Sequence, residues 1–220
     1  MSQRSVRVKI CCMQSPAEAR IAIAAGADAL GLVSRMPSGP GPISDASIAE
    51  IVATIPDRVA TFLLTSRTTV PEITRQQQRC GANTLQLVDR VSPGARRKLR
   101  AALPNVSIVQ VVHVCDEAAI AEAVDVSSDS DAILLDSGNP SLAVKELGGT
   151  GRAHDWEISR AIREAVSVPV WLAGGLNAGN VAAAIRQVAP FGVDVCSGVR
   201  TAGNLDETKL TAFMNALAAA

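Results

Sequence analysis

The feature that most constrains the fold of this chain is an eightfold alternation of short apolar runs with Ala-rich stretches. The apolar runs contain many β-branched residues and have the length of buried strands, whereas the Ala-rich stretches have helical length and helical start signals. Strands are predicted at residues 6–11, 28–33, 58–64, 83–87, 106–112, 131–135, 168–172 and 192–195. Helices are predicted at residues 16–25, 44–54, 71–80, 92–102, 116–124, 155–165, 178–188 and 206–218.

Strands that alternate with helices predict a parallel α/β sheet. Eight such units within 220 residues favour a closed (βα)8 TIM barrel over an open doubly wound sheet, which remains the alternative. No shift in composition marks a second domain, so we expect a single TIM-barrel domain over residues 1–220.

The charge balance and the scarcity of aromatic residues argue against a nucleic-acid binder. Lys and Arg total 21, as do Asp and Glu, so the chain lacks the basic surface that a nucleic acid or an anionic membrane would need. Three Phe, two Trp and no Tyr are too few for base stacking. We predict no nucleic-acid partner.

The cysteines and the N-terminal residues predict a cytoplasmic protein without a membrane partner. The five cysteines are odd in number and form no CxxC pair, which indicates reduced thiols. The first ten residues lack the apolar segment of a signal peptide, and no apolar stretch reaches the ~18 residues of a membrane span. His113 and His154 each lack a second His at ligand spacing, and the carboxylates are scattered, so we also predict no metal.

Glycine-rich turns after three predicted strands indicate a phosphate site. Such turns let the backbone approach a ligand closely, and the loops after strands 7 and 8 are the usual phosphate site of a barrel. The alternative is a set of tight turns without a ligand. The candidate phosphate-binding residues are Gly149, Gly151, Gly174, Gly175, Ser197 and Gly198.

Strand 1 places Lys9 and Cys11 on the same side, two residues apart. A Lys inside a barrel is costly unless it is paired, and Asp194 on the neighbouring strand 8 is the candidate partner. A cation near Cys11 would favour its thiolate, although a buried core thiol is an equally good interpretation of the spacing. Cys12 is expected to face the helices and pack as a small hydrophobic residue.

Asp136 follows four apolar residues at the carboxyl end of strand 6. An acid at that place is typical of catalysis in a barrel, so we predict that it acts as a general acid or base. The alternative is a turn former that begins the loop at residues 137–140.

These residues resemble the phosphoribosylanthranilate isomerase family, whose members are barrel enzymes of tryptophan biosynthesis. The resemblance covers nearly the whole chain and is far more specific than any single glycine turn. It rests on residues 8–11, 25–33, 134–136, 148–151, 155–156, 173–177 and 193–199.

The resemblance implies an aldose–ketose isomerase that carries out an Amadori rearrangement of an N-linked ribosyl phosphate. Asp136 would be the general acid that opens the furanose, and Cys11 would be the general base that takes the proton from the sugar C2. Such chemistry uses a small phosphorylated substrate and no cofactor. Lys9 and Asp194 join the substrate-binding set.

Three positions depart from the family pattern, and the two in the loops after strands 2 and 4 lie at the aromatic end of the expected substrate. Arg35 is the nearest match to an Arg that usually follows Ser-Pro after strand 2, Val88 replaces a His after strand 4, and Cys12 replaces a Gly. These changes leave two alternatives, a relative that isomerises a different phosphorylated aminosugar and a non-catalytic phosphometabolite-binding barrel. The chain is expected to be a monomer or a homodimer, with the Pro- and Gly-rich residues 36–44 as a stiff active-site loop.

Overall fold

The computed structural model describes residues 6–138, 141–142, 145, 147 and 154–220. Eight parallel strands close into a barrel in sequence order, as the alternation predicts. They are β1 (Arg7–Ile10), β2 (Ala29–Val33), β3 (Ala60–Thr65), β4 (Thr84–Leu87), β5 (Ser107–His113), β6 (Ala132–Asp136), β7 (Val170–Leu172) and β8 (Gly192–Val195).

A helix follows each strand, which confirms the predicted TIM barrel and excludes the open sheet. The helices are α1 (Pro16–Ala24), α2 (Asp45–Val52), α3 (Val70–Cys80), α4 (Ala95–Ala102), α5 (Ala118–Ser127), α6 (Trp156–Ala165), α7 (Val181–Val188) and α8 (Glu207–Ala218). Among the residues that the structure describes, none of these helices has the length and hydropathy that a membrane crossing requires.

Barrel closure brings the first and last strands together. β1 pairs with β8 in parallel, and Lys9 lies opposite Asp194 in the register. This pairing is the one that the sequence predicted from the closed topology, and it joins two residues that are 185 positions apart.

The strands carry two apolar layers because successive side chains point to opposite faces. In β6, Ile133 and Leu135 pack in the layer between sheet and helices, whereas Ala132 and Leu134 fill the barrel interior. Asp136, two residues after Leu134, is the next residue of β6 whose side chain faces inward. Its side chain therefore belongs to the mouth of the barrel at the carboxyl ends of the strands.

Local capping explains why several helices begin where they do. The side chain of Ser15 accepts a hydrogen bond from the backbone of Glu18 and precedes Pro16, which suits the first turn of α1. Asp155 caps α6 and Asp206 caps α8 in the same way.

The segment after β8 contains structure that the sequence analysis did not predict. A 3-10 turn at Ser197–Val199 is followed by a small antiparallel pair, β9 (Arg200–Thr201) and β10 (Asn204–Leu205). The strands are two residues each, too short to show alternation. Likewise α7 begins at Val181 and not at residue 178, because residues 177–180 form a turn closed by asparagine side chains.

Candidate active site

A cavity opens at the carboxyl ends of the barrel strands, where active sites of this fold lie. It contains about 680 Å³ of empty space, part of it open solvent. The walls bring together six of the residues predicted for the site, namely Cys11, Asp136, Gly174, Gly175, Asp194 and Ser197.

An ion pair between Lys9 and Asp194 lies beneath the cavity. The Nζ atom of Lys9 donates a hydrogen bond of 2.7 Å to Oδ2 of Asp194, and Lys9 is fully buried. Burial lowers the pKa of Lys9, but the charges of Asp194 and Cys11 outweigh it, so that the net pKa is raised and Lys9 stays charged. The predicted pairing is confirmed, and the second oxygen of Asp194 is buried without a partner among the described residues.

Cys11 follows β1 directly and lies beside the Lys9 ammonium. Both groups fit because Gly31 has no side chain: a Cβ there would lie 2.5 Å from the Cys11 Sγ and 3.1 Å from the Lys9 Nζ. A hydrogen bond from Cys12 lowers the pKa of Cys11, burial opposes it, and the Lys9 charge lowers the pKa further. The net effect favours the thiolate that a general base requires. The role of Gly31 was not predicted, because its stretch was interpreted as a strand and as part of the family resemblance, and neither indicates the space that a missing side chain leaves.

Cys12 does not pack against the helices, so that prediction is wrong. β1 ends at Ile10, and Cys12 has a φ of 65°, a left-handed conformation that breaks the alternation of the strand. Its thiol therefore turns into the cavity wall, 2.6 Å from the Sγ of Cys196. A glycine adopts this φ without strain, which accounts for the Gly that usually stands at this place in the family.

An arginine that sequence analysis missed holds the turn at Cys12. One terminal nitrogen of Arg200 donates a hydrogen bond of 2.5 Å to the Cys12 carbonyl and another of 2.8 Å to the Glu18 carboxylate. Arg200 and Glu18 are both largely buried and 182 positions apart, so no local signal links them. The ion pair thereby fixes the backbone at Cys12, the residue directly after Cys11.

Asp136 ends β6 on the same cavity. Burial raises the pKa of its carboxyl, while a hydrogen bond of 2.7 Å from the Ser137 backbone and the nearby His113 act in the opposite direction. His113 lies opposite Asp136 in the β5–β6 register, and its Nε2 is 3.0 Å from the Val88 carbonyl. A raised pKa keeps a larger fraction of Asp136 protonated, which suits a proton donor.

The turns after β7 and β8 meet on one side of the cavity. Gly174 and Gly175 have φ values of 84° and 64°, which glycine adopts without strain. A Cβ on Gly198 would lie only 2.0 Å from the Leu176 carbonyl oxygen, so the two turns are in direct contact. No described residue accepts a hydrogen bond from the backbone N–H of Gly174, Gly175, Ser197 or Gly198. These N–H groups are the donors that an anion requires.

His154 supports the Gly174 turn from behind. Its Nε2 lies 2.7 Å from the Ser159 hydroxyl, and a Cβ on Gly174 would lie 2.8 Å from its Nδ1. Burial lowers the pKa of His154 to about 4, so the ring is neutral near pH 7. Among the described residues, no group of three or more His, Cys, Asp or Glu side chains is arranged to hold a metal ion.

Five predicted residues are not among those that line the cavity: Lys9 lies beneath it, Gly198 packs against the turn after β7, and the other three are Arg35, Gly149 and Gly151. Arg35 is exposed and lines an adjoining groove with Arg67, and this groove shares Met36 and Leu147 with the cavity. Gly149 and Gly151 lie outside the described residues, so nothing follows for them.

The loop after β2 lines the mouth of the cavity. Ser38, Gly39 and Pro40 contribute to the wall, and the Ser38 hydroxyl donates a hydrogen bond of 2.6 Å to the Lys145 carbonyl. The loop is thereby linked to the segment after β6. This placement agrees with its interpretation as an active-site loop.

Comparison with known proteins identifies the family. The model of the family described as N-(5'-phosphoribosyl)anthranilate isomerase matches residues 8–216. An N-(5'-phosphoribosyl)anthranilate isomerase of Halorubrum lacusprofundi is 37% identical over 210 residues, covering 94% of each chain. N-(5'-phosphoribosyl)anthranilate isomerase 2 of Methanosarcina mazei is 35% identical, covering 96% of this chain and 93% of its own.

Solved structures agree with the sequence matches. The phosphoribosyl anthranilate isomerase of Thermotoga maritima superposes with a TM-score of 0.84 at 28% identity, covering 98% of this chain and all of the other. A phosphoribosyl anthranilate isomerase in complex with reduced 1-(o-carboxyphenylamino)-1-deoxyribulose 5-phosphate superposes with a TM-score of 0.81 at 26% identity and the same coverage. This chain therefore belongs to the N-(5'-phosphoribosyl)anthranilate isomerase family.

Proposed function

We propose that this chain isomerises N-(5'-phosphoribosyl)anthranilate to 1-(o-carboxyphenylamino)-1-deoxyribulose 5-phosphate, with Asp136 as general acid and Cys11 as general base. The observation that carries the proposal is one cavity lined by a thiol of lowered pKa, a carboxyl of raised pKa and two glycine turns. Groups whose pKa values are shifted in the direction of their task mark an acid–base site.

The first step opens the sugar ring. Asp136 donates its proton to the ring oxygen as the bond from that oxygen to C1 breaks, and the nitrogen lone pair forms the Schiff base at C1. The burial that raises the pKa of Asp136 supplies the protonated carboxyl for this step.

The second step removes the proton from C2. The Cys11 thiolate takes it, and the electrons of the C–H bond move to form the enamine, which neutralises the iminium nitrogen. Proton transfer from the C2 hydroxyl to C1 then gives the ketone. C1 is reduced and C2 is oxidised, so the net reaction is an intramolecular oxidation–reduction of the aldose–ketose type.

The phosphate of the substrate would bind at the paired turns after β7 and β8. The backbone N–H groups of Gly174, Gly175, Ser197 and Gly198 have no acceptor among the residues that the structure describes, and the turns lie in direct contact. Binding the phosphate at one side holds C1 and C2 between Cys11 and Asp136. Orientation of this kind contributes to catalysis independently of proton transfer.

The test is the steady-state turnover of phosphoribosylanthranilate by purified variants. Cys11→Ala and Asp136→Asn are each expected to lower kcat by roughly 10²–10⁴-fold while the fold is retained. Cys80→Ala is the matched control, because Cys80 is a buried thiol outside the cavity. Wild-type turnover in either site variant would refute the assigned roles.

A second candidate function is the same isomerisation of a different phosphorylated aminosugar. The observation that favours it is the apolar Val88 in the cavity wall, at the place of a family His, together with Arg35 in the adjoining groove. Complementation of a tryptophan auxotroph that lacks the isomerase separates the two. Full growth supports the first function, whereas no growth by a protein that still binds phosphate supports the second.

We also propose that the enzyme acts in the cytoplasm as a monomer or a homodimer. All five cysteines are free thiols, as expected for a reducing compartment. A related phosphoribosylanthranilate isomerase, that of Thermotoga maritima, is dimeric. Light scattering on the purified chain would distinguish the two assembly states.

A further inference from the structure

Two cysteines outside the proposed acid–base pair lie in contact at the rim of the cavity. The Sγ atoms of Cys12 and Cys196 are 2.6 Å apart, and both residues line the cavity wall. A disulfide bond is about 2.05 Å long, so closing this pair takes a sulfur movement of only ~0.5 Å. Barrel closure brings the two thiols together across 184 positions of sequence.

The backbone at Cys12 is held in place by its neighbours. Arg200 donates a hydrogen bond to the Cys12 carbonyl, and the Cys12 thiol lies 3.7 Å from the Pro40 carbonyl. A Cβ on Gly41 would lie 2.7 Å from the Cys12 Cβ, so the loop after β2 packs closely on it. Cys12 therefore has little freedom to turn away from Cys196.

The pair is reachable by a small molecule through the cavity. Cys196 is partly exposed, whereas Cys12 is 4% exposed. A peroxide is no larger than two water molecules and can enter a cavity built for a sugar phosphate. Cys196 is then the thiol that meets the oxidant, and Cys12 lies behind it.

We propose that Cys12 and Cys196 form a redox modification site, in which a peroxide oxidises the pair to an intramolecular disulfide. The Cys196 thiolate attacks one peroxide oxygen, the O–O bond breaks, and the departing hydroxide is protonated to water, which leaves a sulfenic acid. The Cys12 sulfur then attacks the Cys196 sulfur and displaces hydroxide, which takes the Cys12 proton. Two thiols lose two electrons and two protons, and the peroxide becomes two waters.

The disulfide would act on the neighbouring Cys11. In the reduced protein the hydrogen bond from Cys12 is the largest influence that lowers the pKa of Cys11. A disulfide sulfur has no proton to donate, so oxidation removes this hydrogen bond and leaves less Cys11 thiolate. The cross-link also restrains residue 196, which directly precedes the turn at Ser197–Val199.

The test treats the purified full-length chain with hydrogen peroxide, blocks the remaining thiols with an alkylating reagent and maps disulfides by peptide mass spectrometry. A Cys12–Cys196 cross-link is expected, in the Cys11→Ala variant as well as in the wild type. Cys115 is exposed and serves as the internal measure that oxidant is present. Oxidation of Cys115 while Cys12 and Cys196 remain free, or a cross-link between Cys11 and Cys12, would overturn the proposal.

The activity measurement rests on the proposed isomerase function, whereas the mass measurement does not. Peroxide is expected to lower wild-type turnover roughly tenfold or more, and dithiothreitol is expected to restore it. Each variant is compared with its own reduced form. Cys196→Ser should lose this reversible response, while Cys115→Ser should keep it; an unchanged response in Cys196→Ser would contradict the proposal.

Discussion

The ammonium of Lys9 lies 2.7 Å from the carboxylate of Asp194, and the pair joins the first barrel strand to the last. The ammonium also lies 5.2 Å from the centre of the Phe62 ring. This buried pair connects fold and site, because the same charge that neutralises Asp194 also favours the Cys11 thiolate.

Lys9→Met is expected to destabilise the chain by about 3–5 kcal/mol, because it leaves the Asp194 carboxylate buried without its partner. The double variant Lys9→Met, Asp194→Asn removes both charges and should recover a substantial part of that loss. Urea unfolding near pH 7 measures both free energies. Equal unfolding midpoints in the wild type and in Lys9→Met would contradict this account of the pair.

The pH dependence of turnover should be bell-shaped. The proposed mechanism requires the Cys11 thiolate and the protonated Asp136 at the same time. The pKa of Cys11 is lowered from 9.0 and that of Asp136 is raised from 3.8. The two limbs of the pH–rate profile should therefore lie closer together than they would for the unperturbed groups. Initial rates across the pH range, with a matched stability check, measure both limbs.

The variant Cys12→Ala tests whether Cys12 sets the position of the Cys11 limb in the pH–rate profile. The variant removes the hydrogen bond that lowers the pKa of Cys11, so the limb that belongs to Cys11 should move to higher pH. The limb that belongs to Asp136 should stay in place. An unshifted Cys11 limb would show that Cys12 does not influence the base.

The barrel and the location of Cys11 and Asp136 on one cavity could be predicted because their signals are local or follow from topology. Strand length and alternation give eight units, closure places strand 8 beside strand 1, and these two facts already pair Lys9 with Asp194. Asp136 was found because a carboxylate after four buried residues breaks the expected pattern.

The features that could not be predicted depend on backbone conformations and on distant contacts. The sequence pattern predicted the wrong face for Cys12, because it extended the alternation of side chains past the end of β1. Cys12 has a left-handed backbone conformation, which turns its side chain to the opposite face. Arg200 and Glu18 carry no mutual sequence signal, because only the folded chain brings them together. Gly31 is needed because its missing side chain leaves space for the Cys11 thiol and the Lys9 ammonium. A strand pattern in the sequence does not show this requirement.

Gly174→Ala should weaken phosphate binding far more than a comparable change elsewhere. The new Cβ would lie 2.8 Å from the His154 Nδ1, and the residue would keep a φ of 84° that strains any side chain. Gly203→Ala is the matched control, since Gly203 has a φ of 83° but nothing within 4 Å of a Cβ.

The expected result for Gly174→Ala is a rise in KM of roughly tenfold or more together with weaker inorganic phosphate binding, since a shifted turn misplaces its N–H donors. Gly203→Ala should lose stability by about 1–2 kcal/mol and keep its KM. Titration calorimetry with phosphate and steady-state kinetics measure these effects. A similar KM in both variants would argue against phosphate binding at the Gly174 turn.

Substitutions at Cys12 measure the strain of its left-handed backbone. Cys12→Gly and Cys12→Ala both remove the thiol, but only Ala keeps a Cβ at a φ of 65°. Left-handed backbone costs roughly 1–2 kcal/mol for a residue with a side chain, so Cys12→Gly should be more stable than Cys12→Ala by about that amount. Glycine's greater chain entropy in the unfolded state reduces the difference by up to ~1 kcal/mol. Urea unfolding under reducing conditions compares the two variants directly, and a more stable Cys12→Ala would show that Arg200 and the packed loop relieve the strain.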